Sequence, residues 1–174
     1  MLAAFSSCNS SKRITSVKTV DLYDIDPVKI NKKIPAVEIK VKGVQAEEFV
    51  AYAKSFIGVK YRYGSTDVEK GLDCSGFLWN VFHHFDIKVP RTSEGYTNSG
   101  REVKLRDARK GDLILFTGSD AASGVVGHIG IIIEHQNRQI TFIHSSSGNN
   151  KGVIISEMSE YYRKRFVKVN RVFD

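Results

Sequence analysis

The apolar residues of this chain change period once, near its middle, and that switch constrains the fold more than any other feature. Before it, Ala46, Phe49, Val50, Ala53, Phe56 and Ile57 recur at helical spacing with Glu47, Glu48 and Lys54 between them. This pattern predicts a helix from about Gln45 to Ile57, stopped by Gly58. Phe77, Leu78, Val81, Phe82 and Phe85 mark a second helix that opens at or near Cys74. The turn and cap residues from Pro90 to Glu94 predict a short third one. After the switch, Asp112 to Thr117, His128 to Glu134, Ile140 to Ser145, Val153 to Glu157 and Arg165 to Phe173 are short β-rich runs separated by polar turns such as Gln136 to Gln139. Helices first and strands afterwards predict an α+β domain, with a mainly antiparallel sheet of about five strands packed against the leading helices. There is no internal repeat.

The chain has 174 residues, enough for one domain and a tail. Its 26 Lys and Arg against 19 Asp and Glu leave a net charge of +7, which favours an anionic partner. Nucleic acid is not indicated, because zinc-finger spacing, an aromatic RNA-binding signature and a long basic run are all missing. A polymer that carries carboxylates matches the charge equally well, and a plain basic surface would account for it too. Two cysteines, Cys8 and Cys74, are too few for a disulfide framework.

Cys8 ends an apolar and then small-residue stretch that resembles the tail of a signal peptide running into a lipoprotein attachment cysteine. The basic start and most of the apolar core of such a signal are missing, so the start is read as truncated or misplaced, and residues 1–8 are assigned no fold. Residues 9–43 are rich in Ser, Lys and Asp, carry Pro27 and Pro35, and read as a tether or loosely docked arm. The domain is expected over 44–174. No run of about 18 apolar residues suitable for crossing a membrane occurs.

Chemistry is expected at Cys74. A thiol attacks as thiolate, and the unpaired N–H groups at a helix start favour that charge. His128 opens a strand, where it would lie at the sheet rim, and it is the expected source of an imidazolium beside the sulfur. His144 sits in the next strand. If the two strands form a hairpin about Gln136 to Gln139, the histidines meet as base and orienting partner. Against this, a buried cysteine at a helix start is usually a small hydrophobe, and a histidine at a strand end is more often structural. A zinc site from Cys74, His128 and His144 lacks the short paired-ligand spacing of such sites. His83 and His84 read as surface or packing residues, and His135 as solvated.

Tyr61-x-x-Gly64, then Gly71-Leu-Asp73-Cys74-Ser75-Gly76-Phe77, Pro90-Arg91-Thr92, Gly111-Asp112-Leu113, His128-Ile-Gly130-Ile and Phe142-Ile-His144-Ser145 together resemble the NlpC-type family of peptidoglycan cysteine peptidases, in the family's order from about Ala46 to Phe173. The resemblance implies a papain-like fold with Cys74 as nucleophile, His128 as general base and His144 as the orienting residue. It further implies that the Tyr61 hydroxyl faces the oxyanion and that Asp73 and Ser75 hold the substrate peptide. The implied reaction is hydrolysis of amide bonds between D-residues and diaminopimelate through a thioester, in the bacterial cell envelope, with no cofactor or metal. Lipidation at Cys8 would make the protein a membrane-anchored periplasmic lipoprotein. A wall-binding module without activity, or an amidase or acyltransferase on the same scaffold, are the alternatives. Two departures stand out: Ser65 where the family often has a second glycine, and a Ser-, Ala- and Gly-rich stretch from Gly118 to Gly127.

Overall fold

The computed structural model describes residues 23–148 and 152–173. Cys8 lies outside the described residues. Helix α1 spans Ala46–Lys54, shorter than the periodic pattern. The last apolar positions continue as tightened turns, with Phe56 N–H donating to Ala53 O and Ile57 N–H to Lys54 O, before Gly58 leaves in a left-handed conformation. Helix α2, Cys74–His84, starts at the expected cysteine with Asp73 as its cap. The capping residue Thr92 is followed by a 3₁₀ turn, Ser93–Tyr96, rather than an α-helix.

Among the described residues six strands form one antiparallel sheet: β1 Arg101–Val103, β2 Leu113–Thr117, β3 Val126–Gln136, β4 Gln139–Ser146, β5 Gly152–Glu157 and β6 Phe166–Arg171, in the order β1-β6-β2-β3-β4-β5. The strand beyond the expected five is β1, a three-residue edge, Arg101-Glu102-Val103, too short to show an alternating signal. A short helix α3, Glu160–Arg163, links β5 to β6.

The sheet is covered on both faces. Phe49, Phe77, Leu78 and Phe82 of the helices pack on Leu113, Leu115, Ile129, Ile131 and Ile143, and fully burying side chains of this size stabilises by about 1.5–3 kcal/mol each. The opposite face holds Ile114, Phe116, Ile132, Phe142, Met158 and Phe166, with Tyr162 against them. This second layer explains why β2 is buried at every position instead of alternating.

Residues 23–43 form no helix or strand, yet they lie against the domain. Val28 N–H donates to Phe166 O at 2.8 Å, Asn31 N–H to Gly124 O at 3.0 Å, and Ile39 joins the helix-side core. Tyr23 reaches His135, whose other ring nitrogen is 2.9 Å from Ala108 O, so His135 is half-buried and bonded rather than solvated.

Candidate active site

The β3–β4 hairpin turns at Asn137 and Arg138, both with positive φ, and pairs Gln136 with Gln139. Ile131 faces Ile143, which sets Gly130 opposite His144. A Cβ at Gly130 would come within 2.9 Å of the Phe142 ring and 3.2 Å of the His144 Cβ, so the glycine makes room for the histidine. His128, two residues earlier on the same strand face, meets His144 with Nε2 2.8 Å from Nδ1. The other nitrogen of His144, Nε2, is 2.9 Å from Ser156 Oγ and 3.3 Å from the Tyr162 hydroxyl.

This chain of contacts leaves one nitrogen of His128, Nδ1, outside the His128–His144–Ser156 line. When His144 Nε2–H donates to Ser156, His144 Nδ1 is the acceptor for His128 Nε2–H. The His128 Nδ1 lone pair is then left for the thiol proton. His144 is fully buried, and burial holds both rings well below the ordinary histidine value, His128 down to about 4. Both are neutral bases at neutral pH.

Cys74 and His128 line one cleft of about 670 Å³, together with Tyr61, Thr117, Tyr162 and Arg165. The thiol is 7% exposed; its polar neighbours are Ser93 Oγ at 3.7 Å and Gly127 O at 4.0 Å, and no hydrogen bond joins it to His128 among the described residues. Burial pushes the thiol up from its ordinary value, opposed by the Ser93 hydroxyl and reinforced by the Asp73 carboxylate. The sequence predicts an imidazolium stabilising a resting thiolate. Burial instead pushes the thiol up and the imidazole down, each toward its neutral form, because the pocket that shapes the site also desolvates both groups. Among the described residues no cluster of three or more His, Cys, Asp or Glu could hold a metal ion.

The NlpC/P60 family model matches residues 58–171, well over half of the chain and all of the site elements. The chain belongs to the NlpC/P60 family. It is 38% identical over 117 residues to the Escherichia coli murein DD-endopeptidase MepS/murein LD-carboxypeptidase, covering 66% of this chain and 56% of that protein. A Bacillus subtilis gamma-D-glutamyl-L-lysine dipeptidyl-peptidase is 26% identical over 138 residues, 79% of this chain and 45% of the relative. The chain thus spans about half the length of these relatives. An NlpC/P60 family protein from Bacillus cereus superposes with a TM-score of 0.66 at 27% identity, over 76% of this chain and 41% of that one.

Several NlpC/P60 blocks have plain structural reasons here. Asp73 caps α2 by accepting from Gly76 N–H, and also accepts from Ser75 Oγ at 3.1 Å. A Cβ at Gly76 would strike the Ser65 carbonyl, so only glycine lets the helix start approach that loop. Ser65, the departure from the glycine pattern, accepts Asp73 N–H at its carbonyl and Asp67 N–H at its hydroxyl. Asp112 is buried against Arg171 through contacts of 2.7 and 2.8 Å, which makes the Gly111-Asp112-Leu113 block a sheet anchor.

Tyr61 is half-buried beside Cys74, and burial followed by the Cys74 charge pushes its hydroxyl up to about 12. Tyr63 is 88% exposed, so the two tyrosines are not equivalent, as simple alternation along an extended segment would make them. Tyr63 lies in the turn from Arg62 to Ser65, closed by Ser65 N–H on Arg62 O at 3.3 Å, which takes it out of the extended run that holds Tyr61. Asp73 and Ser75 are buried and bonded to Arg91, whose Nη2 is 2.9 Å from Asp73 Oδ2 and whose Nη1 is 3.1 Å from Ser75 Oγ. Sequence reasoning quoted Arg91 without a role, and missed Ser93, Ser156, Tyr162 and Arg165. None of these stands next to Cys74, His128 or His144 in the chain, and only the folded register brings them to the cleft.

Proposed function

We propose that this protein is a cysteine endopeptidase that hydrolyses peptidoglycan stem peptides at amide bonds between D-residues and diaminopimelate. The observation that carries the reading is the 2.8 Å contact between His128 and His144 in the cleft that Cys74 opens into. The Cys74 thiol gives its proton to His128 Nδ1 as sulfur bonds to the carbonyl carbon. The oxyanion that results is held by the Cys74 backbone N–H and the Tyr61 hydroxyl. The carbon–nitrogen bond then breaks, the leaving amine takes the proton from His128, and a thioester remains. Water loses a proton to the same imidazole, attacks the thioester, and the thiol is reformed as the acid leaves. The names of relatives, one a DD-endopeptidase and one a gamma-D-glutamyl peptidase, support the class of substrate for this chain.

Asp73 and Ser75 act on the peptide from their network with Arg91, in a second arm of the cleft that also contains Thr92 and Ser93. The hydrolase domain spans about 44–174 and works in the cell envelope, on the periplasmic side. Lipidation at Cys8 would anchor it to the membrane, with residues 9–43 as the arm. Among the described residues no helix is long and apolar enough to cross a membrane.

Digestion of purified muropeptides, with fragments identified by mass, tests the reading. The wild type should release fragments cut at a D-residue–diaminopimelate bond, and Cys74→Ala should release none while keeping the fold. Muropeptides bound but left intact by the wild type would make the chain a wall-binding module instead.

A further inference from the structure

Arg165 is the only charged side chain among the described residues lining the cleft that contains Cys74 and His128. Its guanidinium is fixed without being neutralised. Nη1 donates to Tyr161 O and Nη2 to Ser119 O, both at 3.0 Å, while Cζ lies 3.8 Å from the centre of the Tyr161 ring. Nε is buried and has no partner. Arg91, in the second arm of the cleft, and Arg171, in β6, each have a carboxylate, Asp73 and Asp112. No carboxylate lies within ion-pair distance of Arg165 among the described residues. Carbonyls orient a guanidinium but leave its charge, and the planar fork suits a carboxylate.

The position of Arg165 says which part of a substrate it would meet. The cleft has two arms that share Tyr61, Tyr63, Cys74 and Gly127; one holds His128 and Arg165, the other Asp73, Ser75 and Arg91. On the hydrolase reading above, on which this inference rests, His128 protonates the leaving amine. The residue that carries that amine must therefore lie in the His128 arm. In stem peptides this residue is diaminopimelate or lysine, and the two differ by one side-chain carboxylate.

We propose that Arg165 binds this carboxylate and so selects stem peptides with diaminopimelate, rather than lysine, on the amine side of the scissile bond. The walls around it, Phe116, Tyr161 and Tyr162, keep water away from part of the site and strengthen a charge pair there.

The test uses the full chain and three cross-linked stem-peptide dimers, alike except that the third residue is diaminopimelate, its carboxamide, or lysine. Wild type should cleave the diaminopimelate dimer with kcat/KM about tenfold or more above the other two. Arg165→Gln should lose about tenfold on the diaminopimelate dimer, mainly through KM, and much less on the other two, so that the preference collapses. Arg165→Lys, which keeps a charge without the fork, should retain part of it. Equal cleavage of all three dimers by the wild type overturns the proposal. Equal losses on all three in Arg165→Gln also overturn it, by making Arg165 a strap between Ser119 and Tyr161. A wild type that cuts none of them, with Cys74→Ala indistinguishable from it, defeats the hydrolase reading itself and is recognised by that result.

Discussion

Ser156 Oγ stands 2.9 Å from Nε2 of His144, on the side of that ring away from His128. The register explains the meeting: Phe142 faces Ser156 and His144 faces Ile154, so Ser156 and His144 are diagonal neighbours on one face of the β4–β5 pair. A serine on the outermost strand thereby holds the far nitrogen of the histidine that, on the proposed reading, orients the general base.

Replacing Ser156 tests that relay. Ser156→Ala leaves the buried His144 N–H with only the longer Tyr162 contact, a loss of about 1–1.5 kcal/mol, or about tenfold in kcat. KM should change little, because Ser156 does not touch substrate. Ser156→Thr, which keeps the oxygen, should fall between wild type and alanine. An unchanged kcat, or a loss seen only in KM, would remove Ser156 from the catalytic chain.

Tyr61→Phe keeps the ring and removes the hydroxyl. A donor that serves charge present only in the transition state affects turnover more than binding. The expected loss in kcat is about a hundredfold, on the order of 2.7 kcal/mol, with KM nearly constant. Tyr63→Phe should be mild, as the exposure of Tyr63 indicates. Wild-type turnover by Tyr61→Phe would reassign the oxyanion donor.

The thiol of the resting enzyme should titrate late. In a Cys8→Ser background, where Cys74 is the single cysteine, the rate of iodoacetamide labelling should climb above neutral pH with a midpoint above the ordinary 9.0. The direction follows from burial of the sulfur and the neutrality of His128. A midpoint below neutral would mean that a thiolate–imidazolium pair forms at rest.

Stability should fall in mild acid. The folded His128 is held down to about 4 from 6.5, and His144 is lowered as well, so both fold as neutral rings. Above about 6.5 the unfolded chain is neutral at these positions too, and their contribution is fully present. As pH falls from there towards 4, the unfolded chain gains protons that the folded one refuses. The cost is up to about 1.4 kcal/mol per pH unit for each ring. Urea unfolding at pH 7 and pH 5 should show this drop, and His144→Asn, which bonds without titrating, should show a smaller one. Equal slopes for the two proteins would refute the assignment.

Much of this was legible in the sequence because it rests on local rules. Apolar period marked α1, α2 and five strands, and the residues at the Gln136–Gln139 turn predicted the hairpin that joins His128 to His144. The start of α2 at Cys74 followed from the first apolar residues of that helix. These are signals within a few residues of each other, and the chain writes them one after another.

The sequence by itself thus determined an α+β chain, the helix start that bears Cys74, and the two histidines that a hairpin would bring together. Only the tertiary structure decided how deeply the site is buried and which further residues join it. Whether Cys74 rests as thiol or thiolate depends on how much water its neighbours exclude, and burial is a property of the packed whole. Ser156, Tyr162, Arg91 and Arg165 reach the site through strand register and loop approach, which bring together residues far apart in the chain. The exposed β1 edge and the second buried face of the sheet were hidden for the same reason: which neighbour covers a strand is fixed by what packs against it, not by its own residues.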